Sequence, residues 1–219
     1  MVNRSGPRRT TSFGGLGLAL VAVIPLLALI ASWFPSASES FSLLSSAPSQ
    51  IGVDLILLAS CVILAFGYRG EEGIVGSSVP GRVGFLLLGL ASPIQILFSY
   101  LAFALNVGGS SAVVWTGTVL GLLPILATTI AAVAVIRAGV LAGFARWILL
   151  GVAAAEVVQF ACVAVQIASQ DYNMAVALYF AAVPLVLLLS AGVSLTLDGR
   201  SASIRHRVHT IHATWRATT

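Results

Sequence analysis

The chain has 219 residues, 58% of them hydrophobic and 8% charged, with mean hydropathy +1.04 and net charge +4. Soluble domains carry roughly 25% charged residues. So few charges cannot coat a globular surface, which excludes a soluble fold and points to an integral membrane protein. Cys61 and Cys162 both lie inside apolar runs and fit no redox or metal spacing, so no disulfide framework is expected. The basic residues are all Arg, in a chain rich in Ala, Gly and Val; that bias suggests a GC-rich bacterial genome.

A bilayer core about 30 Å thick needs about 20 apolar residues in helix. After a basic N-terminal tail, 1–12, six stretches meet that length: 13–34, 51–68, 83–105, 112–136, 147–168 and 174–197. The first exceeds the usual apolar core of a signal peptide, roughly 7–15 residues, and is read as a span. Backbone groups in lipid must be bonded within the segment, so each span is a helix. The expected fold is an all-α six-transmembrane-helix bundle over 13–197, followed by a tail over 198–219.

Every Arg falls in the N-terminal tail, in the second or fourth connection, or after the last span. By the positive-inside rule both termini are cytoplasmic, in a bacterial plasma membrane. The largest connection on that side, "YRGEEGIVGSSVPGR", is expected to be solvated. It lacks the Gly-Lys-Ser/Thr ending of a phosphate-binding loop. Asp54 is expected in the first turn of the second span, where it meets the positive end of the helix dipole. Pro25, Pro93, Pro124 and Pro184 lie mid-span as candidate kinks.

The fifth span, "GVAAAEVVQFACVAVQ", carries an acid amid apolar residues. On a helical wheel Val152, Glu156, Gln159, Val163, Gln166 and Gln170 fall within about 80°. Glu156 lies about 15 Å beyond Arg146 along the helix axis, near the midplane. A carboxylate facing lipid there costs roughly 3 kcal/mol or more, so it is expected to turn inward. No basic residue lies at comparable depth, which leaves neutral partners. The third span offers Ser92, Gln95, Ser99 and Asn106 within about 60°. The fourth places Gly117, Gly121, Pro124 and Thr128 on one side, small enough for close approach. The simplest arrangement buries both polar stripes between spans three, four and five, with Glu156 opposite Gln95. Two functions suit this stripe: a proton or cation site, or a set of interhelical hydrogen bonds.

The last span is followed by "RSASIRHRVHTIHATWRATT". Ile204, Val208, Ile211 and Trp215 share about 60° of a wheel. Arg205, Arg207 and Arg216 lie elsewhere on it, so the tail is expected to lie as an amphipathic helix on an anionic leaflet. His206, His209 and His212 cannot converge on one ion from a straight helix, and no metal or cofactor is expected. No motif for a protease, an esterase or a phosphate-binding enzyme is present, and no catalytic residue or nucleic-acid partner is expected. The partners expected are the lipid bilayer, with anionic lipid at the tail, and other membrane subunits. The function expected is a small permease-like component with a polar interior around Glu156; the alternative is a non-transporting accessory or scaffold subunit.

Overall fold

The computed structural model describes residues 8–31, 47–69, 71–106, 111–141, 143–169, 176 and 180–199. Seven long helices occur among them: α1 Arg8–Ala31, α2 Ala47–Phe66, α3 Val79–Ala104, α4 Ser111–Gly121, α5 Leu123–Ala138, α6 Ile148–Ser169 and α7 Phe180–Gly199. No strand occurs among the described residues. Six segments are long and apolar enough to cross a membrane, the fourth made jointly by α4 and α5. The chain is an all-helical, multi-pass membrane protein.

Local chemistry explains where these helices start and stop. Ser78 caps α3 by accepting from the Gly81 amide at 3.2 Å, and Pro80 follows in the first turn, where a missing N–H leaves no bond unmade. Gly139 ends α5 in the left-handed region at φ 63°. The fourth span is broken: α4 stops at Gly121, Leu122 forms a turn, and α5 begins beyond it. Pro124 has no N–H to offer the Leu120 carbonyl four residues back. Pro25 and Pro93 sit inside continuous helices, so only one of these mid-span prolines interrupts its span. Pro184 also lies inside a helix, α7.

α3 lies at the centre of the packing, in contact with α2, α4 and α5; α1 packs on α2, and α6 on α5. Small residues set the closest approaches. At Gly15 on α1 a Cβ would lie 2.7 Å from the Gly192 carbonyl of α7, so neither helix tolerates a side chain at that crossing. The core gathers Leu18, Leu64, Phe85, Ala131, Val135, Leu149 and Leu195, drawn from six of the helices.

Arg9, Arg69, Arg82, Arg137 and Arg146 lie at one end of the bundle. The α2–α3 connection there is folded onto the helices and is not simply a solvated link, which corrects the sequence expectation. Ile74 and Val75 are buried, and the Ile74 amide donates to the Leu64 carbonyl at 2.9 Å. Gly67 turns the chain at φ 91°. The Glu71 carboxylate accepts from the Arg9 and Thr10 amides at 2.7 and 2.8 Å and from the Thr10 hydroxyl at 3.1 Å. It thereby caps the N-terminus of α1 with negative charge, where the helix dipole favours it. The expectation weighed the Gly, Ser and acid content of this segment and overlooked the pair of apolar residues that anchor it.

Asp54 also departs from expectation. α2 begins at Ala47, several residues earlier than the apolar run suggested, with Pro48 favouring the first turn. Asp54 therefore lies past the first turn, and it is 6% exposed. The proposed amphipathic tail, with Arg205, Arg207, Trp215 and Arg216, lies outside the described residues, as do the three histidines.

Candidate functional site

A cavity of about 170 Å³ opens at the middle of the bundle. All six spans contribute to its wall: Leu18 from the first, Leu57 from the second, Ser92 and Gln95 from the third, Pro124 and Thr128 from the fourth, Glu156 from the fifth and Leu188 from the sixth. Leu88, Ala91, Leu149 and Val152 complete it, so the lining is mostly apolar with one polar side. An apolar cavity of about 150 Å³ is large enough to take benzene.

The polar side is built around the break in span four. Pro124 leaves the Leu120 carbonyl without its helical donor, and the Gln95 side-chain amide supplies one, Nε2 to O at 2.9 Å. A carbonyl only accepts, so this bond also fixes which way the Gln95 amide is turned. Thr128 Oγ1 is 2.8 Å from the Pro124 carbonyl and 3.4 Å from Glu156 Oε1. One hydroxyl hydrogen serves one of these acceptors well, and the carbonyl is the nearer. Glu156 Oε1 is thus weakly held. Glu156 Oε2 is buried and finds no donor among the described residues. A buried acceptor left unmatched costs about 1–3 kcal/mol, more when charged. Such a group is matched by a proton of its own, or by a donor or cation brought to it.

Ser92, Gln95 and Glu156 thus share one cavity. The Gln95 amide is directed to the Leu120 carbonyl, not to Glu156. Gln159 and Gln166 follow Glu156 along α6 without lining the cavity. Ser99 is exposed, and its hydroxyl returns to the Gln95 backbone carbonyl at 2.9 Å. The polar stripe on the fifth span therefore meets the cavity only at Glu156.

Asp54 enters as a residue that sequence reasoning set aside. It lies three residues before Leu57 on α2, hence on the same face and about 4.5 Å farther from the arginine end. It places a second acid one turn beyond the cavity wall. Nothing in the pattern of α2 marks that face, because its exposed positions are as apolar as its buried ones. Among the described residues no group of three His, Cys, Asp or Glu is arranged to hold a metal ion. No protein-family model, no curated protein and no solved structure matches the chain, so the geometry above stands without a relative to interpret it.

Proposed function

We propose that the protein is a small permease-like component of a bacterial plasma membrane, and that Glu156 is the proton or cation site in its polar interior. The observation that carries this reading is the cavity itself. Six helices converge on one internal space, and the one carboxylate in its wall has an oxygen that no described residue satisfies. Intramembrane acids that line a cavity mark ion and proton pathways. Asp54, one turn beyond the wall, would draw cations towards the space from the arginine-free end.

The test is a proton current. The full chain is reconstituted into vesicles that enclose a pH-sensitive dye, and a potassium diffusion potential drives protons inward. The parent acidifies the lumen, and Glu156→Gln, which keeps the shape of the side chain and cannot ionise, does not. Equal acidification by both would end the reading.

In this reading the arginine end faces the cytoplasm. Two single-cysteine variants, in a background without Cys61 and Cys162, check it. Asn106→Cys, at an exposed position at the arginine-free end, should react with an impermeant thiol reagent added to intact cells. Glu72→Cys, exposed at the arginine end, should react only after the cells are opened. The reverse pattern inverts the orientation.

An accessory subunit of a larger membrane complex is the second reading. It draws on α4, where Trp115 and Val119 are 71% and 63% exposed beside Phe103 at 85%. That surface fits lipid equally well, so we prefer the first reading, which the cavity supports.

A further inference from the structure

The hydrogen-bond inventory of the cavity narrows what Glu156 could hold. Gln95 has committed an amide hydrogen to the Leu120 carbonyl, and Thr128 has its hydroxyl hydrogen on the Pro124 carbonyl. One hydrogen of each is taken by the two carbonyls around the break in span four; the second Gln95 amide hydrogen and the Ser92 hydroxyl remain. Glu156 Oε2 has no donor among the described residues, and Gln95 and Ser92 line the same wall. Among the described residues no basic side chain lines the space. The rest of the wall is Leu18, Leu57, Leu88, Leu149, Leu188 and their neighbours, which can solvate methylene groups and cannot coordinate a bare metal ion.

We infer that the cavity binds a small primary alkylammonium ion, its ammonium group on Glu156 and its short hydrocarbon chain against the leucines. This deepens the proposed function and rests on it for the role of Glu156. An ammonium group brings three donors and no acceptor, which suits a carboxylate oxygen that no described residue satisfies. Its charge matches the carboxylate in a space of low dielectric. The volume limits the ligand to about six non-hydrogen atoms, roughly the size of benzene. A hard metal cation would need six or more oxygen ligands, or several retained waters, in its first shell. This wall offers few oxygens. An ammonium that enters while Glu156 carries a proton must displace it, so binding exchanges one proton for one cation and the charge of the site is unchanged.

The experiment is thermal unfolding of the purified full chain in nanodiscs of zwitterionic lipid. Four additives are compared at equal concentration: butylammonium chloride, tetramethylammonium chloride, sodium chloride and butanol. Butylammonium at about ten times its half-saturating concentration should raise the midpoint by about 3–6 °C. Tetramethylammonium has the charge without N–H donors, butanol has the chain without the charge, and sodium has neither donors nor chain. None of the three should reach a third of that shift. Glu156→Gln should unfold at the parent temperature without ligand and lose the shift with it. Ala91→Leu, which fills the cavity and keeps the carboxylate, should lose the shift as well.

Equal shifts from butanol and butylammonium overturn the inference, because the space is then merely apolar. A shift retained in both variants, or no shift in the parent, overturns it too. Failure here with an intact Glu156-dependent proton current removes the ligand class and leaves the transport reading standing. A Glu156-dependent shift without any current does the opposite.

Discussion

The two halves of this bundle are made from the same residue types and are closed in different ways. At the arginine end the inward-facing Ile74, Val75, Phe85, Val135, Leu149 and Leu195 are each 1% exposed or less, although Val79, Phe144, Trp147 and Leu197 on its rim are more than half exposed. At the other end Leu97, Leu101, Phe103, Trp115, Val119 and Val165 are all more than half exposed. Hydrophobicity does not separate the two sets, because lipid is as good a solvent for Leu as a protein core. Small residues do separate them. Gly15, Gly81, Gly84 and Gly192 stand where helices meet at the arginine end, together with Ala131 and Ala134. The Glu71 cap and the anchored α2–α3 connection add hydrogen bonds on the same side. The cavity lies where this closed half gives way to the open one.

The sharpest way to break that comparison is to put one methyl group into each half. At Gly192 a Cβ would lie 2.5 Å from the Ala19 amide nitrogen and 2.6 Å from the Gly15 carbonyl oxygen. Both are backbone atoms that cannot rotate away, so α1 and α7 must separate. Gly192→Ala is expected to cost about 2–3 kcal/mol as overpacking, a fall of about 5–10 °C in the unfolding midpoint. At Gly52, in the other half of the bundle, a Cβ meets nothing within 4 Å. Gly52→Ala should therefore leave the midpoint unchanged or raise it slightly, since Ala favours helix over Gly by up to about 1 kcal/mol. Thermal unfolding of the two purified variants in detergent reads both effects. Similar midpoints would mean that the arginine end is no more tightly closed than the other.

Most of the fold is legible in the sequence, because length and apolar content alone dictate spanning helices. The six segments correspond to the six expected, with boundaries displaced where Pro48 and Ser78 begin helices earlier than the apolar runs. The inward turn of Glu156 follows from the cost of placing a carboxylate in lipid. Its surroundings are harder to read. When every face of a helix is apolar, periodicity no longer tells inside from outside, so Leu18, Leu57 and Leu188 carry no mark of the cavity they line. Gln95 was legible as a polar group that must be buried, and its partner was not. A backbone carbonyl has no letter in the sequence, and only the break at Pro124 makes the one on Leu120 available. Asp54 was misjudged for a related reason. The start of its helix was set by the first strongly apolar residues, and a shift of a few positions moved the acid from a first turn to a buried face.

That carbonyl gives the finer test of how the open half is held. Gln95 Nε2 bonds Leu120 O because Pro124 cannot. Gln95→Leu removes the donor and leaves the carbonyl partly buried and unmatched, at an expected cost of about 1–2 kcal/mol, less than the change at Gly192. Pro124→Ala restores an N–H four residues beyond Leu120 and gives the carbonyl a partner within its own helix. In that background Gln95→Leu should cost little. The coupling between the two sites, read as the difference of unfolding free energies around the double-mutant cycle, is then about 0.5–1.5 kcal/mol. A cycle without coupling would mean that the Gln95 bond does not hold the break, and that α4 keeps its place through packing alone. The rings of Phe160 beside Gly121 and of Phe98 beside Gly117, at 3.3 and 3.8 Å from where a Cβ would stand, are contacts available for that. A coupled cycle makes Gln95 the residue that ties the broken span to the centre of the bundle. The same amide would then order both the break and the polar wall beside Glu156.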